Sequence, residues 1–111
     1  MALLEKIAGI HDPGTGMGSK ISPSWFWATF KEIIRGEITP AQAATFWNNK
    51  MGLGWDSTDD TDLTWLIDQY NSTSTNKEVW LADFLAILQA IEAEAPGYLT
   101  DADLKARIQR I

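Results

Sequence analysis

The chain has 111 residues, 45% of them apolar and 22% charged, with a formal net charge of −6. That is enough to bury one core and too little for two, and it is too apolar for a disordered chain. The absence of cysteine excludes disulfides and thiolate metal sites, and nine basic residues outnumbered by fifteen acidic ones disfavour nucleic-acid or anionic-membrane partners.

Residues 2–10 form a short apolar segment interrupted by Glu5 and Lys6, which makes it a poor signal peptide. Residues 11–20, HDPGTGMGSK, are glycine-rich and aperiodic, the composition of a flexible arm. The expected organisation is therefore an arm over residues 1–20 and a helical domain over residues 21–111. Leu3, Leu4 and Ile7 either fold back on that domain or reach a neighbouring protein. They are candidate partner-binding residues on the second reading.

From residue 21 helix punctuation dominates. Ser22 and Pro23 predict an N-cap and first helical position, with Ile21 and Phe26 placed as a hydrophobic staple. Phe26, Phe30, Ile33 and Ile34 follow at one-face spacing, and Gly36 predicts a left-handed close. Thr39, Pro40 and Gln42 then predict a capping box for a second helix with Ala43, Phe46 and Trp47 inward. The connection is short enough to demand an αα-hairpin.

Residues 51–55 read as a loop, and Ser57 or Thr58 as the cap of a third helix. Asp59, Asp60 and Asp62 fall in its first turn, where carboxylates suit the positive end of the helix dipole. Leu63, Leu66, Ile67 and Tyr70 give its apolar stripe. After a polar break at residues 71–74, Thr75 and Glu78 predict a capping box for the longest helix, running to about Glu94. Its stripe is Trp80, Phe84, Ile87, Leu88 and Ile91, flanked by Leu81 and Leu85. Pro96 and Gly97 stop it. Thr100 with Asp103, and Leu99 with Leu104, predict a short last helix.

No segment alternates with period 2. The fold class is all-α, a small irregular antiparallel bundle of about five helices with a Gly-rich N-terminal arm, and residues 2–10 as a possible sixth helix.

Chemistry-bearing patterns are weak. Residues 14–20 resemble a phosphate loop, but Lys20 follows Ser19 where that motif needs Lys before Ser or Thr, and no strand precedes it. Asp56, Thr58, Asp60 and Asp62 alternate as calcium-loop ligands do, yet Thr61 replaces the required glycine and Ile67 the final glutamate. His11 lies alone on the arm, without an orienting partner. Glu92, Glu94 and Asp101 to Asp103 read as a solvated acidic face. The expectation is no enzymatic activity, no cofactor and no metal.

Six tryptophans carry the functional question. Trp27, Trp47 and Trp80 lie on or beside apolar stripes, and core packing accounts for them. Trp25 and Trp65 are rotated off their stripes, and Trp55 lies in a glycine loop. Aromatic side chains left outside amphipathic faces suit a partner surface, so Trp25, Trp55 and Trp65 join Leu3, Leu4 and Ile7 as candidate partner-binding residues.

Residues 21–48, ISPSWFWATFKEIIRGEITPAQAATFWN, contain Phe26, Phe30, Gly36, Ile38, Thr39, Ala41 and Gln42. The segment resembles one in small helical proteins encoded by structural gene clusters of tailed bacteriophages. There, an aromatic-rich helix ends in Gly-x-Ile/Val-Thr and the next opens with Ala-Gln. The resemblance covers about a quarter of the chain and implies a non-enzymatic virion component of the neck, tail or capsid-associated set. Such a protein is assembled in the host cytoplasm and is oligomeric in context, with larger protein subunits as partners. This chain departs from the pattern in its tryptophan content and its Gly-rich arm. Two other readings stay open: a small module using exposed tryptophan for a glycan or peptide, and an acidic inhibitor or immunity-like protein.

Overall fold

The computed structural model describes residues 3–7, 21, 23–51, 54–74, 76–93 and 101–111. They form six helices: α1 (Leu3–Ile7), α2 (Pro23–Ile34), α3 (Pro40–Met51), α4 (Ser57–Ser72), α5 (Lys77–Ala93) and α6 (Asp101–Gln109). No strand occurs among the described residues. The glycine-rich residues 11–20, the phosphate-loop-like stretch within them and His11 lie outside the described residues, as do Ser22, Thr75, Glu94, Pro96, Gly97, Leu99 and Thr100.

The helix boundaries follow from caps. Gly36 adopts φ +77, and its N–H donates to the Ile33 carbonyl at 3.0 Å while the Glu37 N–H donates to Glu32 at 2.9 Å. This is a Schellman close, satisfying two carbonyls that the end of α2 would otherwise strand. Thr39 and Gln42 form the expected capping box. The Gln42 N–H donates to Thr39 Oγ1 at 3.1 Å and the Thr39 N–H to Gln42 Oε1 at 2.8 Å.

Two caps fall elsewhere than the sequence predicts. α4 is capped by Asp56, not by Ser57 or Thr58. The Asp56 carboxylate accepts from the Thr58 and Asp59 amides at 2.8 and 3.1 Å, and Asp59 returns the bond by accepting from the Asp56 amide at 2.9 Å. A carboxylate accepts two amide protons at once and carries the charge that the dipole favours, so Asp56 outcompetes the hydroxyls that follow it. α5 is capped by Asn76, whose side-chain oxygen accepts from the Glu78 amide at 2.7 Å.

α2 packs chiefly on α5, α3 folds back on α2, and α1 lies against α4 and α6. Interlocked aromatic rings fill the centre. Phe30 meets Phe84 edge-on at 5.4 Å, Phe26 stacks on Trp47 at 5.2 Å, and Trp80 tilts against Phe84 at 5.2 Å. The α5 stripe is buried at Trp80, Leu81, Phe84, Leu88 and Ile91, with Ile87 packed at its edge.

One stripe assignment is corrected. Phe46 is 41% exposed. Ala43 and Trp47 are the buried positions of α3, with Ala44 and Asn48 half-buried beside them. At about 100° per residue that face centres well over 90° from Phe46.

The N-terminal segment is also corrected. Leu3, Leu4 and Ile7 are completely buried within their own chain, so α1 belongs to the domain and not to a free arm. Carboxylates of the first two turns of α4 hold it there. Lys6 Nζ lies 2.7 Å from Asp59 Oδ2, both side chains almost fully buried. The Leu4 amide donates to Asp62 Oδ2 at 3.3 Å, and Lys105 of α6 approaches Asp62 Oδ1 at 3.6 Å.

Candidate protein-docking surface

Among the described residues the exposed large apolar side chains are Trp25 and Phe46 on the α2–α3 hairpin and, apart from them, Val79 on α5. Trp25 is 49% exposed and its ring stacks on that of Phe46, with centroids 6.2 Å apart and planes inclined by 28°. The two helices position these rings from opposite sides of the turn closed by Gly36 and Thr39. Beside them runs a shallow groove of about 200 Å³ lined by Thr29, Glu32, Ile38, Gln42 and Phe46. It is largely uncharged except at Glu32. A pre-stacked aromatic pair offers area to a partner without further loss of rotamer freedom.

The other candidates are placed differently. Trp55 is half-buried, stacks on Trp47 with centroids 5.5 Å apart, and donates its indole N–H to Asp60. It therefore roofs the core, and its amide is also held, by Asn48 Oδ1 at 3.0 Å. Trp65 is half-buried against the core, with Lys105 Nζ 5.5 Å from its ring. Its remaining face borders Asp60, Thr61, Thr64 and Asp68 on the outer side of α4. Leu3, Leu4 and Ile7 present no surface at all. Of the six predicted residues, Trp25 alone is exposed, and its companion Phe46 lies outside the predicted set because its position on α3 reads as inward.

The alternating acids at residues 56–62 diverge instead of converging. Asp56 is exposed and committed to the amides of its own helix, whereas Asp62 is buried under α1. Hydrogen bonds from the Asp59 and Thr58 amides hold the Asp56 carboxyl below the usual carboxylate range. Among the described residues no group of three His, Cys, Asp or Glu side chains is arranged to hold a metal ion. Glu92 is also engaged: it accepts a hydrogen bond from the Ser24 amide at 3.0 Å, capping the first turn of α2 from the end of α5. Among the described residues no helix is long and apolar enough to cross a membrane. No protein-family model matches the chain, and no curated protein or solved structure does either.

Proposed function

We propose that this chain is a non-enzymatic assembly subunit that docks to larger protein subunits through the Trp25–Phe46 pair. The observation that carries this reading is that two large aromatic rings, stacked on each other, are left open on a domain that buries comparable rings elsewhere. The bacteriophage-like segment, residues 21–48, coincides with the hairpin that displays the pair, which favours a virion component of the neck, tail or capsid-associated set. Trp65 contributes at most a flank.

Co-expression with the subunits that neighbouring genes encode, followed by size-exclusion chromatography, tests the reading. The double variant Trp25→Ser/Phe46→Ser should melt within a few degrees of the parent and lose the complex. A parent that binds none of those subunits, or a variant that binds them unchanged, overturns the proposal.

A further inference from the structure

A second surface pair is sorted by charge. Between α2 and α5, with Tyr70 of α4 at its edge, lies a cleft of about 500 Å³ whose walls include Trp27, Ile34 and Leu81. Its cations are Lys31 of α2 and Arg35 in the turn just past its end, and Lys77 lies 5.5 Å from the Tyr70 ring. Glu78 is the acidic residue on its wall. Trp27 is fixed there by donating to the Leu81 carbonyl at 3.3 Å and by Lys31 Nζ, 3.9 Å from the ring centroid. The Arg35–Glu37 pair is long, at 3.5 Å, with both side chains about half exposed, so it exchanges readily for a better partner. In a chain of net charge −6, this cleft is locally cationic and aromatic.

The outer face of α4 is its complement. Asp60, Thr61, Thr64, Trp65 and Asp68 border one shallow depression. At about 100° per residue it points away from the buried Leu63–Leu66 face. Lys105 of α6 is engaged beside it, 3.6 Å from Asp62 Oδ1 and 5.5 Å over the Trp65 ring centroid.

The two surfaces share no residue, so one copy can offer its cleft while another offers its acidic face. We infer that this protein self-associates head to tail, with the Asp60–Trp65–Asp68 face of one copy seated in the Trp27–Lys31–Arg35 cleft of the next. Such a contact is heterologous, and its repetition yields a closed ring or an open chain. Aromatic residues and arginine are the types enriched where protein surfaces meet. The inference is independent of the docking reading above, since neither surface is lined by Trp25 or Phe46.

Salt alone does not discriminate, because ions screen both the local attraction and the repulsion between net-negative copies. A charge exchange does. Sedimentation velocity should show the parent's average mass rising over roughly 10 μM to 1 mM, the weak end of the affinity scale. Lys31→Glu/Arg35→Glu and Thr64→Lys/Asp68→Lys should each stay monomeric alone, while their equimolar mixture regains association. Lys50→Glu/Arg110→Glu, which alters net charge away from both surfaces, should associate as the parent does, and so should Trp25→Ser/Phe46→Ser. Circular dichroism verifies folding, and the single reversals Arg35→Glu and Asp68→Lys, both at exposed positions, repeat the test if a double variant unfolds. A parent that remains monomeric, self-association surviving in either reversed variant, or a mixture of folded variants that fails to associate overturns the inference.

Discussion

Asp56 shows how one side chain sets a boundary and a pH response together. Its carboxyl is held below the ordinary range by amide hydrogen bonds that exist only in the folded state. A folded-state pKa below the unfolded one adds stability that is present above the unfolded value, about 3.9 for Asp. That contribution disappears as pH falls through the folded value. Asp56→Asn keeps a competent cap while removing the charge. The parent's stability advantage over this variant should therefore be present at neutral pH and vanish in acid, as measured by urea midpoints across a pH series. The tryptophans divide by burial in the same way. Trp80→Ala should cost about 3–5 kcal/mol of folding, since Trp80 is buried among Phe30, Tyr70 and Phe84. Trp65→Ala should cost about 1 kcal/mol, because that ring is only partly buried and packs at the edge of the core. Equal losses in guanidinium unfolding would place Trp65 in the core.

At the scale of helices, the turn between α2 and α3 depends on Gly36. Nothing lies within 4 Å of where its Cβ would stand, so Gly36→Ala meets backbone strain alone. The expected loss is about 1–2 kcal/mol, the cost of a left-handed conformation for an L residue, readable as a lower denaturation midpoint at unchanged slope. This turn is also where the sequence was most legible. Gly36, Thr39 and Gln42 act through local hydrogen bonds, and local grammar is written in adjacent residues. The apolar stripes of α2 and α5 were equally plain, because period and burial agree there. Legibility failed where two neighbouring residues compete for one role. Asp56 and Ser57 both cap well, and Phe46 and Trp47 are both large and apolar, so tertiary packing decided between them. The open Trp25–Phe46 pair was half visible for that reason: Trp25 stood off its stripe, while Phe46 was indistinguishable from core. Asp59 and Asp62 were read as capping acids, although Asp59 lies four residues before Leu63 and seven before Leu66. That spacing was the available signal that it faces inward.

For the molecule as a whole, that signal matters because a buried ion pair closes the structure. Lys6 and Asp59 lie 53 positions apart on α1 and α4, and both are sealed from solvent. Asp59 Oδ2 takes both Lys6 and the Asp56 amide, while Oδ1 is buried without a hydrogen-bond partner, so the carboxylate relies on Lys6. Lys6→Met should cost about 3–5 kcal/mol, since it leaves a charge buried and uncompensated. Adding Asp59→Asn should restore part of that loss, because the neutral amide still accepts from Asp56. Urea unfolding of the parent, single and double variants measures the coupling. A single-variant loss under about 1 kcal/mol would mean water reaches Asp59.

The hydrogen bond from Ser24 to Glu92 spans 68 positions, and it orders events during synthesis. α2 leaves the ribosome with the donors of its first turn lacking that acceptor and with Phe26 and Phe30 lacking Phe84. It must wait through the translation of α3 and α4 before α5 supplies both. Over that interval the nascent chain exposes an aromatic helix of the kind that chaperones grip, and slowing elongation ahead of α5 should lengthen its exposure to aggregation.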